Sequence, residues 1–426
     1  MKSSHCRVAI VGAGPSGLAL ASELASAGID DIVLLDRESE GGGIPRHCGH
    51  SPYGMREFRR ILSGPEYARR LVVRAQRCGI VLRTAVTVIE IEAGGSLLLS
   101  TAAGMERLQA DRVVLCTGNR ETPRAPRLVS GSRALGIVTT GALQSMLYLK
   151  RRLPFERPLI VGSELVSFSA LLSCRHAGIK PVAMIEARSK VTAWRVASLL
   201  PPLLGTRLWL NTSLREIHGD DRVSAVDVDV DVDRGADAPM TLDCDGVVFS
   251  GCFVSESSLV RLSHLELDPA SGGPSIDQYG RCSDPDYFSC GNQLHPVDTA
   301  GWCWTEGRDT AASLIASLDG RLDAAGRTLA IKGASPVIRY FTPQRITMME
   351  PGYSNKSPAA HRQLQVRLAR DARGRLSLRD GEHELSGRNI SARRERRVLL
   401  PLPPLARLQQ CQSLSLEFEP AQAEQR

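Results

Sequence analysis

Three glycines near the start of the chain have a spacing that suits nucleotide binding. Gly12, Gly14 and Gly17 form a GxGxxG pattern after a short apolar run, and Asp36 follows a second apolar run. Gly12 permits a tight turn, Gly14 lets the backbone approach a pyrophosphate, and Gly17 lets a helix pack closely on the strands. Asp36 can accept hydrogen bonds from a ribose diol. The pattern therefore predicts a dinucleotide site.

A βαβ unit is needed to position these residues, and the flanking sequence predicts one. Residues 8–11 and 32–35 are short apolar runs typical of buried parallel strands, and residues 18–27 carry a helical pattern. The free N–H groups and the positive dipole end at the start of such a helix favour phosphate binding.

The same unit recurs later in the chain without a gap. Gly162 corresponds to Gly12 (162 − 12 = 150), and Glu186 corresponds to Asp36 (186 − 36 = 150). Glu164 replaces the second glycine, where a carboxylate would repel a pyrophosphate at close range. Glu186 is nevertheless the right type for the ribose of NAD. A nicotinamide site at Gly162 and Glu186, and a structural relic of one, both remain open.

Three further apolar runs are predicted to be buried strands: 112–118 and 245–251 end in glycine, and 286–292 ends in Gly291-Asn292. The glycine that ends the first of these strands can bring the backbone close to a ligand. A helix is predicted at 298–318, directly after the third run. From residue 331 onward, short strand-like runs between Pro, Gly and charged turns predict a small β-rich domain.

Asp and Val alternate from Asp227 to Asp233. Counted from Asp229, the positions where a calcium loop needs Gly and Glu carry Arg234 and Met240, so a calcium site is disfavoured. We expect an exposed edge strand with a polar face instead.

Charge and aromatic content disfavour nucleic-acid binding. The chain has 53 Lys and Arg against 46 Asp and Glu, but only 4% of its residues are aromatic. The densest basic cluster, 393–397, is interrupted by Glu395 and has no aromatic residue that could stack on bases. We therefore expect no nucleic-acid partner.

The eleven cysteines are scattered, without a CxxC or CxxxxC pair. Free thiols in this pattern are typical of a reducing compartment, so a cytoplasmic location is expected. The spacing disfavours zinc ribbons and two-cysteine redox centres, and no metal site is expected. No apolar run is long enough to span a membrane.

With these features located, the chain resembles the two-dinucleotide-domain flavoproteins of the pyridine nucleotide–disulphide oxidoreductase class. There the GxGxxG pattern and the acidic strand end bind FAD, and a middle Thr-Gly strand end corresponds to Thr117-Gly118. A late Gly-Asp, whose Asp bonds the ribityl chain, corresponds to Gly291-Asn292, where Asn can still bond a hydroxyl but brings no charge. The redox CxxxxC of the class is missing, so the resemblance does not imply disulphide reduction.

The resemblance implies an α/β fold with two Rossmann-like, glutathione-reductase-like dinucleotide-binding domains plus a small β-rich C-terminal domain. Residues 1–125 together with 268–330 would form the FAD domain, 126–267 the second, NAD-type domain, and 331–426 the C-terminal domain.

Segments along nearly the whole chain are similar to a branch found beside glycerol-3-phosphate-type and opine or amino-acid dehydrogenase subunits. They are GGIPRHCGHSPYG, SGPEYA, the run from Thr117 to Glu121, the run from Cys290 to His295 with Asp298, and IRYFTPQRI. Some opine-type relatives end in a cysteine-rich iron–sulphur domain, which this chain cannot build with Cys411 alone.

The resemblance implies a set of FAD-contacting residues at the turns and strand ends. They are Gly12, Ala13, Gly14, Pro15, Ser16, Gly17, Asp36, Arg37, Gly42, Gly43, Val86, Thr117, Gly118, Gly291, Asn292 and Thr299.

His47, Cys48 and His50 follow the glycine run 41–43, where this fold class places its redox-active cysteines beside the flavin. The resemblance implies that these three residues line the reactive ring, Cys48 by polarising the flavin or as a thiolate and the histidines as proton donors. A buried structural cysteine with two loop histidines is the open alternative.

The implied activity is an FAD-dependent oxidoreductase that passes electrons between flavin and a nicotinamide cofactor, with FAD and NAD as cofactors and a partner dehydrogenase subunit. The alternatives are a flavin dehydrogenase or oxidase of a small amine or hydroxy acid that does not use NAD, and a non-catalytic scaffold subunit stabilised by FAD.

Overall fold

The structure, a computed structural model, describes residues 2–230, 239–322, 325–349 and 359–421. The α-helices are Pro15–Ser26 (α1), Gly64–Arg77 (α2), Thr140–Gln144 (α3), Leu165–His176 (α4), Leu200–Leu203 (α5), Ser258–Arg261 (α6), Ala300–Leu318 (α7) and Leu405–Leu408 (α8).

The first strands are Lys2–Val11 (β1), Ile32–Leu35 (β2), Val81–Arg83 (β3), Thr87–Glu92 (β4), Ser96–Thr101 (β5), Gly104–Leu115 (β6), Asn119–Glu121 (β7), Ser130–Gly131 (β8) and Ile137–Thr139 (β9). The middle strands are Pro158–Val161 (β10), Ala183–Ile185 (β11), Arg207–Trp209 (β12), Thr212–His218 (β13), Ala225–Val230 (β14), Met240–Asp243 (β15), Gly246–Phe249 (β16), Phe253–Ser255 (β17) and Tyr287–Ser289 (β18). The last strands are Ala325–Gly333 (β19), Ile338–Thr342 (β20), Arg345–Met349 (β21), Gln363–Leu368 (β22), Ala372–Asp380 (β23), His383–Ala392 (β24), Val398–Pro401 (β25) and Leu414–Pro420 (β26).

The chain divides into two compact units. Unit 1 comprises Met1–Gly43, Ala68–Asn119 and Ser255–Arg426, and unit 2 comprises Ile44–Tyr67 and Arg120–Val254.

The sheet of unit 1 is built around β1, which pairs in parallel with β2 and with β6. β3 extends the parallel part beyond β2, and β18 pairs in parallel with β6. The earlier half of β6 also pairs antiparallel with β5, which continues to β4. Residues 8–11 of β1 are all buried, so the strand is continuously apolar. Ala9 and Val11 share an apolar core with residues of β4 and β5. The predicted first βαβ unit is confirmed.

Unit 2 contains the repeated βαβ unit. β10, α4 and β11 correspond to β1, α1 and β2, and α4 has the same length as α1, twelve residues, with the same offset (165 − 15 = 150). The sheet order is β12-β11-β10-β16-β9, and all of its pairs are parallel.

The expectation of an edge strand in the Asp-Val stretch is wrong for its described part. β14 lies inside a second sheet of unit 2, since it pairs with β13 on one side and with β15 on the other. Val226 and Val228 are fully buried, so the alternation marks one core-facing side of an interior strand. Residues 231–233 of the stretch lie outside the described residues.

The end of the chain is β-rich, as predicted. Strands β21-β19-β26-β23-β24 form one sheet and β20-β22-β25 another, and their inward side chains share one apolar core. These strands belong to unit 1, so the unit that carries the first βαβ motif also includes the C-terminal strands. The α/β fold class with two Rossmann-like parts is confirmed.

Candidate functional site

The turn between β1 and α1 accepts only glycine at two positions. Gly12 has φ +111°, and a Cβ there would lie 2.4 Å from the carbonyl oxygen of Cys116. A Cβ on Gly17 would lie 2.1 Å from the carbonyl oxygen of Gly12. Both distances are far below van der Waals contact, so these glycines let the turn pack against the end of β6.

Gly14 differs from its neighbours because a Cβ there would meet no atom of the described residues within 4 Å. It is the N-cap of α1 with extended backbone, it offers no side chain to cap the helix, and Pro15 occupies the first turn. The N–H groups at this helix start and the helix dipole face the space beside Gly14. The site therefore has the backbone opening and the positive end that a pyrophosphate needs.

Asp36 is fixed at the end of β2 beside this turn. One carboxylate oxygen accepts the N–H of Ala13 at 2.9 Å and the other accepts the N–H of Glu38 at 2.9 Å. The Asp36 carbonyl accepts the N–H of the buried Val86 at 3.0 Å, and Arg37 is exposed. This places a carboxylate where the fold binds a ribose diol.

The glycine loop that follows packs on the turn. The N–H of Gly42 donates to the carbonyl of Ala13 at 2.7 Å, and a Cβ on Gly43 would lie 2.9 Å from Gly14 Cα. Gly42 and Gly43 both have positive φ, at +119° and +63°. The loop closes one side of the space beside Gly14.

The ends of β6 and β18 complete the edge. A Cβ on Gly291 would lie 2.6 Å from Ser16 Oγ, so Gly291 sits directly against the start of α1. Thr117 Oγ1 donates to the carbonyl of Glu256 at 2.7 Å. Gly118 has φ +74°, and Thr299 is the N-cap of α7.

The side-chain amide of Asn292 forms hydrogen bonds within the chain. Its Nδ2 donates to the carbonyl of Asp298 at 2.8 Å, and its Oδ1 accepts the N–H of Asp298 at 3.0 Å. The side chain closes the loop that leads into α7, and the contact to a ribityl hydroxyl stays a prediction.

All sixteen residues expected to contact FAD belong to unit 1. The glycine turn, the acidic strand end and two neighbouring strand ends meet at the carboxyl edge of one sheet, which is where open α/β sheets bind ligands. These residues fit an FAD.

His47, Cys48 and His50 belong to unit 2. Cys48 Sγ lies 3.3 Å from Gln144 Oε1 and 3.5 Å from the carbonyl of Ile44. Burial raises the pKa of the Cys48 thiol to about 11, so the thiol is neutral near pH 7 and the thiolate role is disfavoured. Burial also lowers the pKa of His50. The position of the three side chains beside a flavin stays a prediction.

In the repeated βαβ unit, a glutamate carboxylate lies where a second nucleotide was predicted to bind. A Cβ on Gly251 would lie 2.4 Å from Glu164 Oε2, and a Cβ on Gly162 would lie 2.9 Å from the same oxygen. Ser167 Oγ donates to Glu164 Oε2 at 3.4 Å. The Glu164 carboxylate therefore lies at the start of α4, in the place that corresponds to the opening beside Gly14.

The carboxylate that was predicted to bind a ribose in unit 2 accepts hydrogen bonds within the chain. Glu186 is buried, and its Oε1 accepts the backbone N–H of Arg188 at 3.2 Å and the Arg188 Nε–H at 3.1 Å. Its Oε2 accepts from Ser163 Oγ and, at 3.4 Å, from Thr192 Oγ1. Gly162 and Glu186 thus lie at the positions that match Gly12 and Asp36. The Glu164 carboxylate lies against Gly162, however, and the Glu186 carboxylate accepts hydrogen bonds from neighbouring side chains.

Sequence spacing missed one cysteine pair. Cys116 and Cys290 are 174 positions apart, yet their Sγ atoms lie 3.4 Å apart because β6 and β18 are neighbours. Both thiols are free and buried. The hydrogen bond with Cys116 and burial raise the pKa of Cys290 well above its usual value. Only strand pairing, which a linear spacing rule ignores, could have indicated this contact.

Ionisable side chains at three places were also missed. Glu121 accepts the N–H groups of Gly141 at 2.7 Å and Gly251 at 2.9 Å, and burial raises its pKa. Glu216, His218 and Asp227 bring ligand atoms within 4.8 Å of one another on paired strands of unit 2. His218 and Asp227 also bond each other directly, at 2.9 Å. A third group lies in unit 1, at the start of α7, and is described below.

Within the described residues, no helix combines the length and the apolar character that crossing a bilayer requires.

Two curated relatives are opine oxidase subunits. The opine oxidase subunit of Rhizobium meliloti (strain 1021) is 26% identical over 179 residues, which are 42% of this chain and 38% of the relative. The opine oxidase subunit of Agrobacterium tumefaciens (strain Ach5) is 25% identical over 206 residues, 46% of this chain and 39% of the relative. The match therefore spans less than two fifths of either relative's length.

Solved structures share the fold. Thioredoxin reductase of T. acidophilum superposes with a TM-score of 0.62 at 21% identity, covering 74% of this chain and 98% of that one. L-proline dehydrogenase from P. horikoshii superposes with a TM-score of 0.58 at 16% identity, covering 75% of this chain and 56% of that one.

The family model for pyridine nucleotide–disulphide oxidoreductases matches residues 6–307, about seven tenths of the chain. This range includes the glycine turn, both βαβ units and the late strand that ends in Gly291. The chain belongs to the pyridine nucleotide–disulphide oxidoreductase family and is an FAD-dependent oxidoreductase.

Proposed function

We propose that this chain is the FAD-carrying subunit of a dehydrogenase whose flavin is reduced by a small organic substrate and not by a nicotinamide cofactor. The carboxylate of Glu164 carries the proposal, because it lies at the start of α4 against Gly162 and Gly251. A pyrophosphate there would meet a negative charge at close range instead of free N–H groups.

Unit 1 supports the flavin part of the proposal. Bound FAD supplies a two-electron acceptor for the hydrogen of a substrate C–H bond. Gly14 and the start of α1 would hold its pyrophosphate, and Asp36 would accept hydrogen bonds from its ribose diol. Gly42 and Gly43 pack on this turn and exclude water from one side of it.

The substrate class comes from the names of the matched relatives. Both are named as subunits of an opine oxidase, which supports an opine or a related small amine as the electron donor and another polypeptide as partner. A small hydroxy acid is the other donor class to be tested. All eleven cysteines are free, and this supports a reducing compartment such as the cytoplasm.

Electron exchange between flavin and NAD is the competing function. The gapless repeat and the acidic Glu186 at the end of β11 favour it, since a carboxylate at this position suits the ribose of NAD. The Glu186 carboxylate, however, already accepts hydrogen bonds from Ser163 and Arg188. A non-catalytic scaffold that holds FAD is the third function.

Anaerobic stopped-flow absorbance of the purified yellow protein separates the three functions. We expect opines, amino acids or hydroxy acids to bleach the flavin band, with the co-purified partner present, while NADH and NADPH do not. Bleaching by NADH within seconds would overturn the proposal in favour of nicotinamide use. A flavin that no donor reduces, with the partner present, would indicate the scaffold. A preparation that stays colourless after FAD is added would contradict the flavin assignment itself.

A further inference from the structure

Five charged side chains form a buried cluster in unit 1 at the start of α7. His295, Asp298 and Glu306 come from the segment that follows β18, and Arg367 and Arg397 come from the C-terminal strands and their connection. The side chains of Arg367 and His295 are 2% and 1% exposed. Burial of a charge costs several kcal/mol unless the charge is paired, so the cluster must be held together by its own contacts.

The contacts form a chain of ion pairs. Arg367 Nη2 donates to Asp298 Oδ1, and His295 Nδ1 lies 3.2 Å from Asp298 Oδ2. His295 Nε2 lies 2.6 Å from Glu306 Oε2. Arg397 Nε lies 3.9 Å from Asp298 Oδ2, with its guanidinium 3.9 Å from the Trp302 ring centroid. The imidazole thus lies within ion-pair distance of two carboxylates, and Asp298 lies within ion-pair distance of both arginines.

The same chain of contacts reaches the FAD fingerprint. Glu306 Oε1 accepts the N–H of Gly291 at 3.1 Å, and Gly291 packs on Ser16 of α1. Gly307 also lies against Ser16, since a Cβ there would be 2.2 Å from the Ser16 carbonyl oxygen. A shift of Glu306 would therefore move the backbone that borders the start of α1.

Asp298 is the group that compensates Arg367. The Nε and Nη1 atoms of Arg367 find no hydrogen-bond partner in residues 2–230, 239–322, 325–349 and 359–421. Loss of Asp298 would leave a buried guanidinium unpaired, and loss of Arg367 would leave Asp298 with the weaker pairs to His295 and Arg397. Each change would therefore weaken the side-chain contacts that hold the loop beginning at Gly291.

We propose that Arg367 is a positioning residue for the FAD site, acting through Asp298, His295 and Glu306 on Gly291. β22 of the C-terminal strands thereby holds the segment from Gly291 to Asp298 against Ser16 of the FAD fingerprint. The role is independent of which donor reduces the flavin, so it goes beyond the function proposed above.

The experiment measures the Kd of apoprotein for FAD by quenching of flavin fluorescence. The variants are Arg367→Met, Asp298→Asn and the double variant. Arg375→Met is the matched control, because Arg375 pairs with Glu384 in the same C-terminal strands and neither residue contacts the cluster within the described chain. Thermal unfolding of each apoprotein is recorded in parallel.

We expect Arg367→Met to raise the Kd for FAD by about tenfold or more and the control by less than about twofold. The double variant should weaken FAD binding less than the sum of the single changes, because it removes both members of the Arg367–Asp298 pair and leaves neither of them to face the other's absence. A Kd for Arg367→Met within about twofold of wild type would overturn the proposal, even if thermal stability falls, because the cluster would then serve folding alone.

Two further variants keep the test decisive if Arg367→Met does not fold. Arg367→Lys keeps the charge but replaces the Nη2 donor that meets Asp298 with an ammonium group on a shorter side chain, and His295→Gln keeps side-chain size but removes the cation. We expect both to raise the Kd for FAD, and wild-type affinity in both would contradict the positioning role.

Discussion

Gly14 and Gly17 lie in the same turn, but a side chain would have different effects at the two positions. Changing Gly14 to Val places methyl groups in open space that only the pyrophosphate would fill, so we expect a folded apoprotein that retains no FAD. Changing Gly17 to Val places its Cβ 2.1 Å from the Gly12 carbonyl oxygen, so we expect the fold itself to be destabilised by several kcal/mol.

The measurement compares FAD content with thermal unfolding of both variants. A Gly14→Val protein that stays yellow, or a Gly17→Val protein as stable as wild type, would contradict the geometry of the turn.

Residue positions were predictable where they depend on local sequence. The order of Gly12, Gly14 and Asp36 along one βαβ unit predicted that they meet at one sheet edge, and the structure places them there. The contact between Cys116 and Cys290 was not predictable, because it depends on which strands are neighbours. Arg367 was missed for the same reason, since 69 positions separate it from Asp298.

At the scale of elements, α1 and α4 show how a repeated motif can keep its fold while the residue before the helix changes from glycine to glutamate. Both helices have twelve residues and follow a strand-to-helix turn. The residue directly before α1 is Gly14, whereas the residue directly before α4 is Glu164. The helical pattern and the strand pattern were enough to predict both units. The Glu164 carboxylate lies against Gly251, and this position could be found only from the structure.

Changing Glu164 to Gly tests this difference between the helices. Removal of the carboxylate opens the start of α4, so we expect the Kd for NADH to fall by about tenfold in fluorescence titrations, while FAD content stays unchanged. Glu164→Gln is the matched control, since it removes the charge but keeps the bulk. Equal, undetectable NADH binding in wild type and both variants would show that Glu164 is not what excludes the nucleotide.

At the scale of the whole molecule, the C-terminal strands belong to the same unit as the FAD fingerprint. Their composition predicted a β-rich region but no link to chemistry, because the residues that make the link are ordinary surface types in the sequence. Burial brings two residues of β22 into contact with this segment and with α7: Arg367 pairs with Asp298, and Gln365 Nε2 donates to Glu306 Oε2 at 3.3 Å.

The stability of the whole protein should depend on pH through the cluster at α7. Burial alone would lower the pKa of His295, but the carboxylates of Glu306 and Asp298 raise it from 6.5 to about 9. Burial alone would raise the pKa of Glu306, but His295 lowers it from 4.5 to about 2. Burial also lowers the pKa of the neighbouring His361 below its usual value.

The signs of these shifts define the pH window. The contribution of His295 is fully present below pH 6.5 and is lost as the pH rises through about 9. The contribution of Glu306 is present above pH 4.5 and is lost as the pH falls through about 2. Stability from the pair should therefore be greatest between pH 4.5 and pH 6.5.

Urea unfolding of the apoprotein from pH 5 to pH 9.5 tests the alkaline side. We expect the free energy of unfolding to fall by on the order of 3 kcal/mol across this range in wild type, and by much less in His295→Gln, which has no proton to lose there. His264→Gln is the matched control, because His264 pairs with Asp284 near the surface of the same unit. If His295→Gln keeps the wild-type slope with pH, the cluster is not the source of the alkaline loss, because the imidazole is then neutral in the folded protein.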